Sequence, residues 1–143
     1  MLALELEKSD VKDFMAKLLK TNFFDDFQLR SAEILTATRI TIDGTPQDDA
    51  PFATYGATRP LICEIIKLCS KPRHIKIILA HAAPISIHQN AAALFLNLSY
   101  ENDAVTFTTA TAQKEFALDK SLDATWDEFI RKFFLGINVK DRE

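Results

Sequence analysis

The chain is poor in glycine and cysteine. It has three glycines in 143 residues, each isolated from the others, so a glycine-rich phosphate loop is excluded. The two cysteines, Cys63 and Cys69, fall six residues apart in a predicted helix, where their side chains point to different faces and are too distant for a disulfide. We expect free thiols in a reducing compartment.

Long apolar runs and an excess of positive charge are also missing. No apolar run approaches the roughly 20 residues that cross a bilayer. Glu5 and Glu7 interrupt the start of the chain, where a signal peptide would have an apolar core. Seventeen basic and twenty acidic residues give a formal charge of −3, which disfavours a whole surface that attracts nucleic acid or anionic lipid. We predict a cytosolic protein that does not bind membranes.

Familiar catalytic and metal-binding patterns are absent from the sequence. No serine lies in a Gly-x-Ser-x-Gly context. The histidines at 74, 81 and 88 are evenly spaced, but residues seven apart in a strand lie on opposite faces and more than about 20 Å apart. We therefore predict no metal site and no cofactor. The lack of a catalytic pattern favours a protein that is not an enzyme.

What the chain does have is apolar residues at helical spacing, with eleven phenylalanines in all. Two amphipathic helices are predicted, one near the start and one near the end. Their apolar stripes are Val11, Phe14, Met15, Leu18 and Leu19, and Trp126, Phe129, Ile130, Phe133 and Phe134. A third helix, starting near Arg59 and Pro60, is apolar nearly all round and is expected to be buried on more than one side.

Alternating apolar and polar residues predict the strands. We expect strands at 2–7, over 34–43 with a bend or hairpin near 35–38, and briefly at 52–55. A further strand is expected at 74–81, where Ile78 on the second face favours a central strand or one covered at that point. The stretch 92–119 predicts a three-stranded antiparallel meander with turns at 102–103 and 112–114, in which Phe116 and Leu118 continue the apolar face. Residues 45–51 are expected to form a loop, 70–73 a turn, and 82–91 at most one helical turn. The charged end at 140–143 is expected to fray.

These elements predict one α+β domain over 1–143, a mainly antiparallel sheet with three amphipathic helices packed on one face. Two passes of strand, helix and strands, 1–43 and 52–119, resemble the duplicated domain of DNA sliding clamps, in which helices face DNA. This resemblance makes a clamp-like nucleic-acid partner one alternative. Its contacts would be the basic residues of the helices and the turn that follows, Lys12, Lys17, Lys20, Lys67, Lys71 and Arg73.

Two groups of residues are candidates for binding. Arg59 at a helix start opposes the positive end of the helix dipole and needs a carboxylate or an anionic ligand. We expect pairing with Asp43, Asp48 or Asp49, and the alternative is a small enzyme or anion-binding protein that uses Arg59 with Asp43. The polar face of the meander, formed by Asn97, Ser99, Thr106 and Thr108, meets either water or a partner strand or second copy.

Five segments together resemble an uncharacterised family of small bacterial proteins, a domain of unknown function. They are DVKDFMAKLL near the start, TIDG at 41–44, TRPLICEIIK at 58–67, LFLNLSY at 94–100 and FALDKSLDATWDEFIRKF at 116–133. The resemblance supplies no catalytic residues. Our leading hypothesis is therefore a non-enzymatic cytosolic module for binding or assembly, as a homo-oligomer or with a protein partner.

Overall fold

Seven strands and three helices form the part of the chain that the computed structural model describes, residues 1–45, 51–69 and 72–142. In chain order the elements are β1 (Ala3–Leu6), α1 (Val11–Lys20), β2 (Gln28–Leu35), β3 (Arg39–Asp43), α2 (Tyr55–Leu68), β4 (His74–Ala80), β5 (Ala91–Glu101), β6 (Ala104–Gln113), α3 (Ser121–Phe133) and β7 (Val139–Asp141). The strands make one antiparallel sheet in the order β3-β2-β4-β5-β6-β1-β7. The α+β prediction is confirmed.

One face of the sheet is buried beneath all three helices. Side chains alternate between the faces of a strand, and the buried set on β5 and β6 includes Leu96 and Phe107. These residues share one apolar core with Phe14 of α1, Ile62 of α2 and Trp126 of α3. The predicted packing of three helices on one face is confirmed, and the opposite face of the sheet carries no helix within the described residues.

The apolar stripes of α1 and α3 lie where their spacing predicts. In α1 Val11, Phe14, Leu18 and Leu19 are buried and Met15 is half-buried. In α3 Trp126 and Ile130 are buried and Phe129 and Phe133 are half-buried, and Phe134, which caps the end of α3, is also buried. Polar contacts also hold α3 to β6. Thr109 donates to Asp127 over 2.6 Å, and Thr111 donates to Asp123.

Two predicted chain reversals are confirmed. Asn102 and Asp103 have positive φ angles of 52° and 61° and join β5 to β6 as a two-residue hairpin turn. Residues 36–38 turn the chain between β2 and β3. β4 pairs with β2 on one side and β5 on the other, so it is an interior strand as expected.

The third run of the predicted meander is wrong. Phe116 and Leu118 are 85% and 84% exposed and belong to no strand. β1, from the start of the chain, pairs with β6 at Ala3 to Glu5. Because β1 occupies that edge of β6, the segment 114–120 has no strand to pair with and instead crosses the outside of the molecule to α3.

The second helix also differs from its prediction. It begins at Tyr55, where the Thr54 side chain accepts a hydrogen bond from the Ala57 amide over 3.2 Å. Residues 52–54 contribute a single bridge, Gln28 to Thr54, in place of the expected strand. Leu61 and Leu68 are 55% and 84% exposed, so burial on more than one side is wrong. The helices form a single layer on the sheet, and no described element lies against the outer side of α2.

The end of the chain is paired where fraying was expected. Val139–Asp141 forms β7 and pairs with β1, although Glu143 lies outside the described residues. Most of the expected loop at 45–51, namely 46–50, and residues 70–71 of the expected turn also lie outside them. The single helical turn expected within 82–91 is a 3₁₀ helix at Pro84–Ser86.

Candidate interaction face

The uncovered side of the sheet, here called the open face, brings the four polar residues of the predicted meander face together. Asn97 pairs in register with Thr108, and Ser99 pairs with Thr106. The Asn97 amide donates to the Thr108 hydroxyl over 3.2 Å. Residues paired across antiparallel strands present their side chains on the same face, so these four form one contiguous polar patch.

Apolar side chains adjoin this patch. Ile78 of β4 lies in register with Asn97, and Ala3 of β1 lies in register with Thr108. Phe95 lies two residues before Asn97 in β5 and therefore on the same face. All three are partly exposed. A shallow depression of about 290 Å³ lies in the middle, lined by Lys76, Ile78, Asn97, Leu98, Ser99, Thr106 and Thr108.

Arg30 covers one end of the open face and was not found from the sequence. Its guanidinium carbon lies 3.9 Å from the centre of the Phe52 ring and 5.5 Å from that of Phe95, so the charge is placed against aromatic faces. Burial lowers the pKa of Arg30. A register shift between Leu29 and Ser31 places Arg30 there. The sequence carries no signal for that bulge.

Charged residues occupy the flanks of the open face. Glu33 and Lys76 are paired in register on one side, and Glu5 and Lys140 on the other. These two pairs lie in one row of side chains that crosses the sheet. Between them the row holds only Ser99 and Thr106, which are uncharged. An uncharged centre within a polar and charged rim is the usual anatomy of a protein–protein interface.

Arg59 is paired with Asp25, and the expected pairing with Asp43 is wrong. Arg59 Nε donates to Asp25 Oδ1 over 2.8 Å and Nη2 donates to Oδ2 over 3.1 Å. The Asp43 carboxylate instead accepts a hydrogen bond from the Thr45 amide. Asp48 and Asp49 lie outside the described residues. Because α2 starts at Tyr55, Arg59 belongs to its second turn, not its start.

The Arg59–Asp25 pair joins α2 to the turn before β2. Its hydrogen bonds raise the pKa of Arg59. Gly56 permits the close approach, since a Cβ there would lie 2.9 Å from the Asp25 side chain. A bidentate carboxylate already fills the guanidinium edge that an anion would use. We therefore assign this pair a structural role.

The basic residues predicted for nucleic acid differ in their surroundings. Lys12, Lys17 and Lys20 are exposed on α1. Lys67 pairs with Glu64 within α2, Arg73 donates to the Thr36 carbonyl oxygen, and Lys71 lies outside the described residues. Nucleic-acid contact by these residues stays a prediction.

The histidines lie apart in three different settings. His74 is hydrogen-bonded to the Ser99 hydroxyl and His88 to the Ser121 hydroxyl. His81 packs edge-on against Trp126 and Phe129, and burial lowers its pKa. Within the described residues, no group of three or more His, Cys, Asp and Glu side chains is placed to hold a metal ion.

The fold and the open face define an α+β protein built as one helical layer on an antiparallel sheet, whose other side carries no helix in the described residues. A family model for a family of unknown function, DUF5721, matches residues 17–140. The chain belongs to this family, as the resemblance of its segments predicted. No curated protein and no solved structure matches the chain. None of the helices in the described part is long and apolar enough to span a membrane.

Proposed function

We propose that the protein is a non-enzymatic module that works by packing its open face against another protein. The observation that carries this proposal is the composition of that face. Its centre combines Ile78, Phe95, Asn97 and Thr108, whereas its charged residues stand at the flanks and, in the case of Arg30 beside Phe95, at one end. An open side of an antiparallel sheet that only meets water is more often polar throughout.

The size of the face supports the same function. Five strands spaced about 4.8 Å apart, each with about seven residues that rise about 3.3 Å per residue, cover roughly 24 by 23 Å. This is about 550 Å² in projection. A surface roughened by side chains exposes more area than its projection. The face is therefore comparable to the roughly 800 Å² that each partner contributes to a standard interface.

A cytosolic location is part of the proposal. Both cysteines are free, and Cys63 is buried in α2. Free thiols are typical of proteins in a reducing compartment.

Photo-crosslinking in the cell tests the proposal because it captures whichever protein lies against the open face. A photoreactive amino acid replaces Asn97 at the centre of the open face, and in a matched control it replaces Glu64, exposed on α2. Irradiation is expected to give a discrete adduct from position 97 and none from position 64. No adduct from position 97, or equal adducts from both positions, contradicts the proposal.

A further inference from the structure

A single row of side chains crosses the open face at right angles to the strands. Register pairing fixes its order from β2 to β7 as Glu33, Lys76, Ser99, Thr106, Glu5 and Lys140. The signs along the row are therefore negative, positive, neutral, neutral, negative and positive. Reversing the row gives the opposite sign at every charged position.

A two-fold axis that is parallel to the strands and runs between β5 and β6 places the row of a second copy against the first in the reversed order. Lys76 of one copy then faces Glu5 of the second copy, and Glu33 faces Lys140. Ser99 faces Thr106. Each charged contact occurs twice by symmetry, because a two-fold interface is the same surface on both subunits.

The next row gives a matching result with the same axis. Its order from β2 to β1 is Ser31, Ile78, Asn97, Thr108 and Ala3. The two-fold operation places Ile78 opposite Ala3 of the second copy and Asn97 opposite Thr108. Apolar residues thus meet apolar residues, and a side-chain amide meets a hydroxyl.

Small displacements of the axis destroy the match. An axis along β5 places Glu33 opposite Glu5 of the second copy, and an axis along β6 places Lys76 opposite Lys140. Like charges face each other in both cases, which is unfavourable. The charge pattern therefore selects one position for the axis.

Lys76 and Glu5 have the most to gain from such a contact. Among the described residues neither forms a salt bridge within its own chain, whereas Glu33 pairs with Arg39 and Lys140 with Glu7. Within one chain, Lys76 and Glu5 are separated by β5 and β6, about 14 Å at the usual strand spacing, so they cannot pair with each other.

We propose that the partner on the open face is a second copy of this chain. The two sheets pack face to face about a two-fold axis parallel to the strands between β5 and β6, with Lys76 of each copy against Glu5 of the other. The strand axes of the two sheets are then inclined to each other by no more than about 30°, and the sheets lie about 10 Å apart, as in aligned sheet packing. This inference rests on the proposed function and names its partner.

Sedimentation equilibrium of the purified chain with charge-swapped variants tests the inference. The parent is compared with Lys76→Glu, Glu5→Lys and the double variant over roughly 1 to 100 µM. Lys132→Glu, at an exposed position of α3 on the helical side of the sheet, is the matched control. Circular dichroism melting confirms that every variant folds.

The parent is expected to sediment as a dimer of twice 16.1 kDa. Each single reversal places like charges together in two symmetric contacts and is expected to weaken the dimer by about tenfold or more. The double variant is expected to recover the parent's dissociation constant to within about threefold, and Lys132→Glu to leave it unchanged. Recovery reports a contact between copies, because the two residues cannot meet within one chain.

Three results overturn the inference. They are a parent that stays at 16.1 kDa throughout, a dimer that ignores both single reversals, and a double variant that fails to recover. If the parent is monomeric but position 97 crosslinks to a different protein, the second copy is excluded while the proposed function stands. If position 97 gives no adduct either, both are excluded.

Discussion

Two aromatic residues in the same stretch of sequence, Trp126 and Phe116, have opposite environments. Trp126 is fully buried, and its indole Nε1 donates to the Phe95 carbonyl oxygen over 2.9 Å. Phe116 is 85% exposed. Truncation of each to alanine should therefore have very different effects, although both residues are large and aromatic.

The Trp126→Ala variant is expected to lose about 3 to 5 kcal/mol of unfolding free energy, because the substitution leaves a large cavity in the core. It also leaves a carbonyl oxygen without its donor, which places the loss toward the upper end of that range. Phe116→Ala is expected to stay within about 0.5 kcal/mol of the parent, since no packing is lost at an exposed position.

Urea unfolding followed by circular dichroism measures both values. The midpoint for Trp126→Ala should fall with an unchanged slope, which marks a change in stability and not in the denatured state. Its melting temperature should fall by roughly 10 to 15 °C for a chain of this size. A Phe116→Ala loss above about 2 kcal/mol, or a Trp126→Ala loss below about 1 kcal/mol, would refute the assignment of which residue is core.

Three further substitutions have defined outcomes. Arg59→Leu should lower the melting temperature by removing the bidentate contact with Asp25, and phosphate should not stabilise the parent; stabilisation by phosphate would reinstate an anion site. Because burial lowers the folded-state pKa of His81, stability should be full above its unfolded pKa, about 6.5, and fall as the pH drops through the folded-state value. In His81→Gln the loss of stability at low pH should be smaller than in the parent. An unchanged dependence of stability on pH would contradict this role of His81. Gly44→Ala should cost about 3 kcal/mol or more in urea unfolding, since its Cβ would lie 1.6 Å from the Leu29 oxygen; a neutral result would contradict that crowding.

Local periodicity was enough to predict much of the fold. The stripes of α1 and α3 and the alternation in β5 and β6 each depend on neighbouring residues, and those elements form where the pattern indicates. Phe116 and Leu118 have the same alternation but are exposed, because β1 arrives from the far end of the chain and takes the edge of β6. Local pattern carries no information about that competition.

The candidate site was predicted in its composition but not in its arrangement. Asn97, Ser99, Thr106 and Thr108 could be grouped from the hairpin alone. Their alignment with Lys76 on one side and Glu5 on the other requires the register of two more strand pairs, β4 with β5 and β1 with β6. Arg59 shows the same limit, since its partner Asp25 lies 34 residues earlier in the chain.

Footprinting of Phe95 with hydroxyl radicals in the cell tests most directly whether the open face is covered by protein. Phe116, which lies off that face and is 85% exposed, serves as the internal reference. The ratio of Phe95 to Phe116 modification should be clearly lower in the cell than in the dilute purified chain, because a partner shields Phe95. An equal ratio in both settings would contradict the central claim.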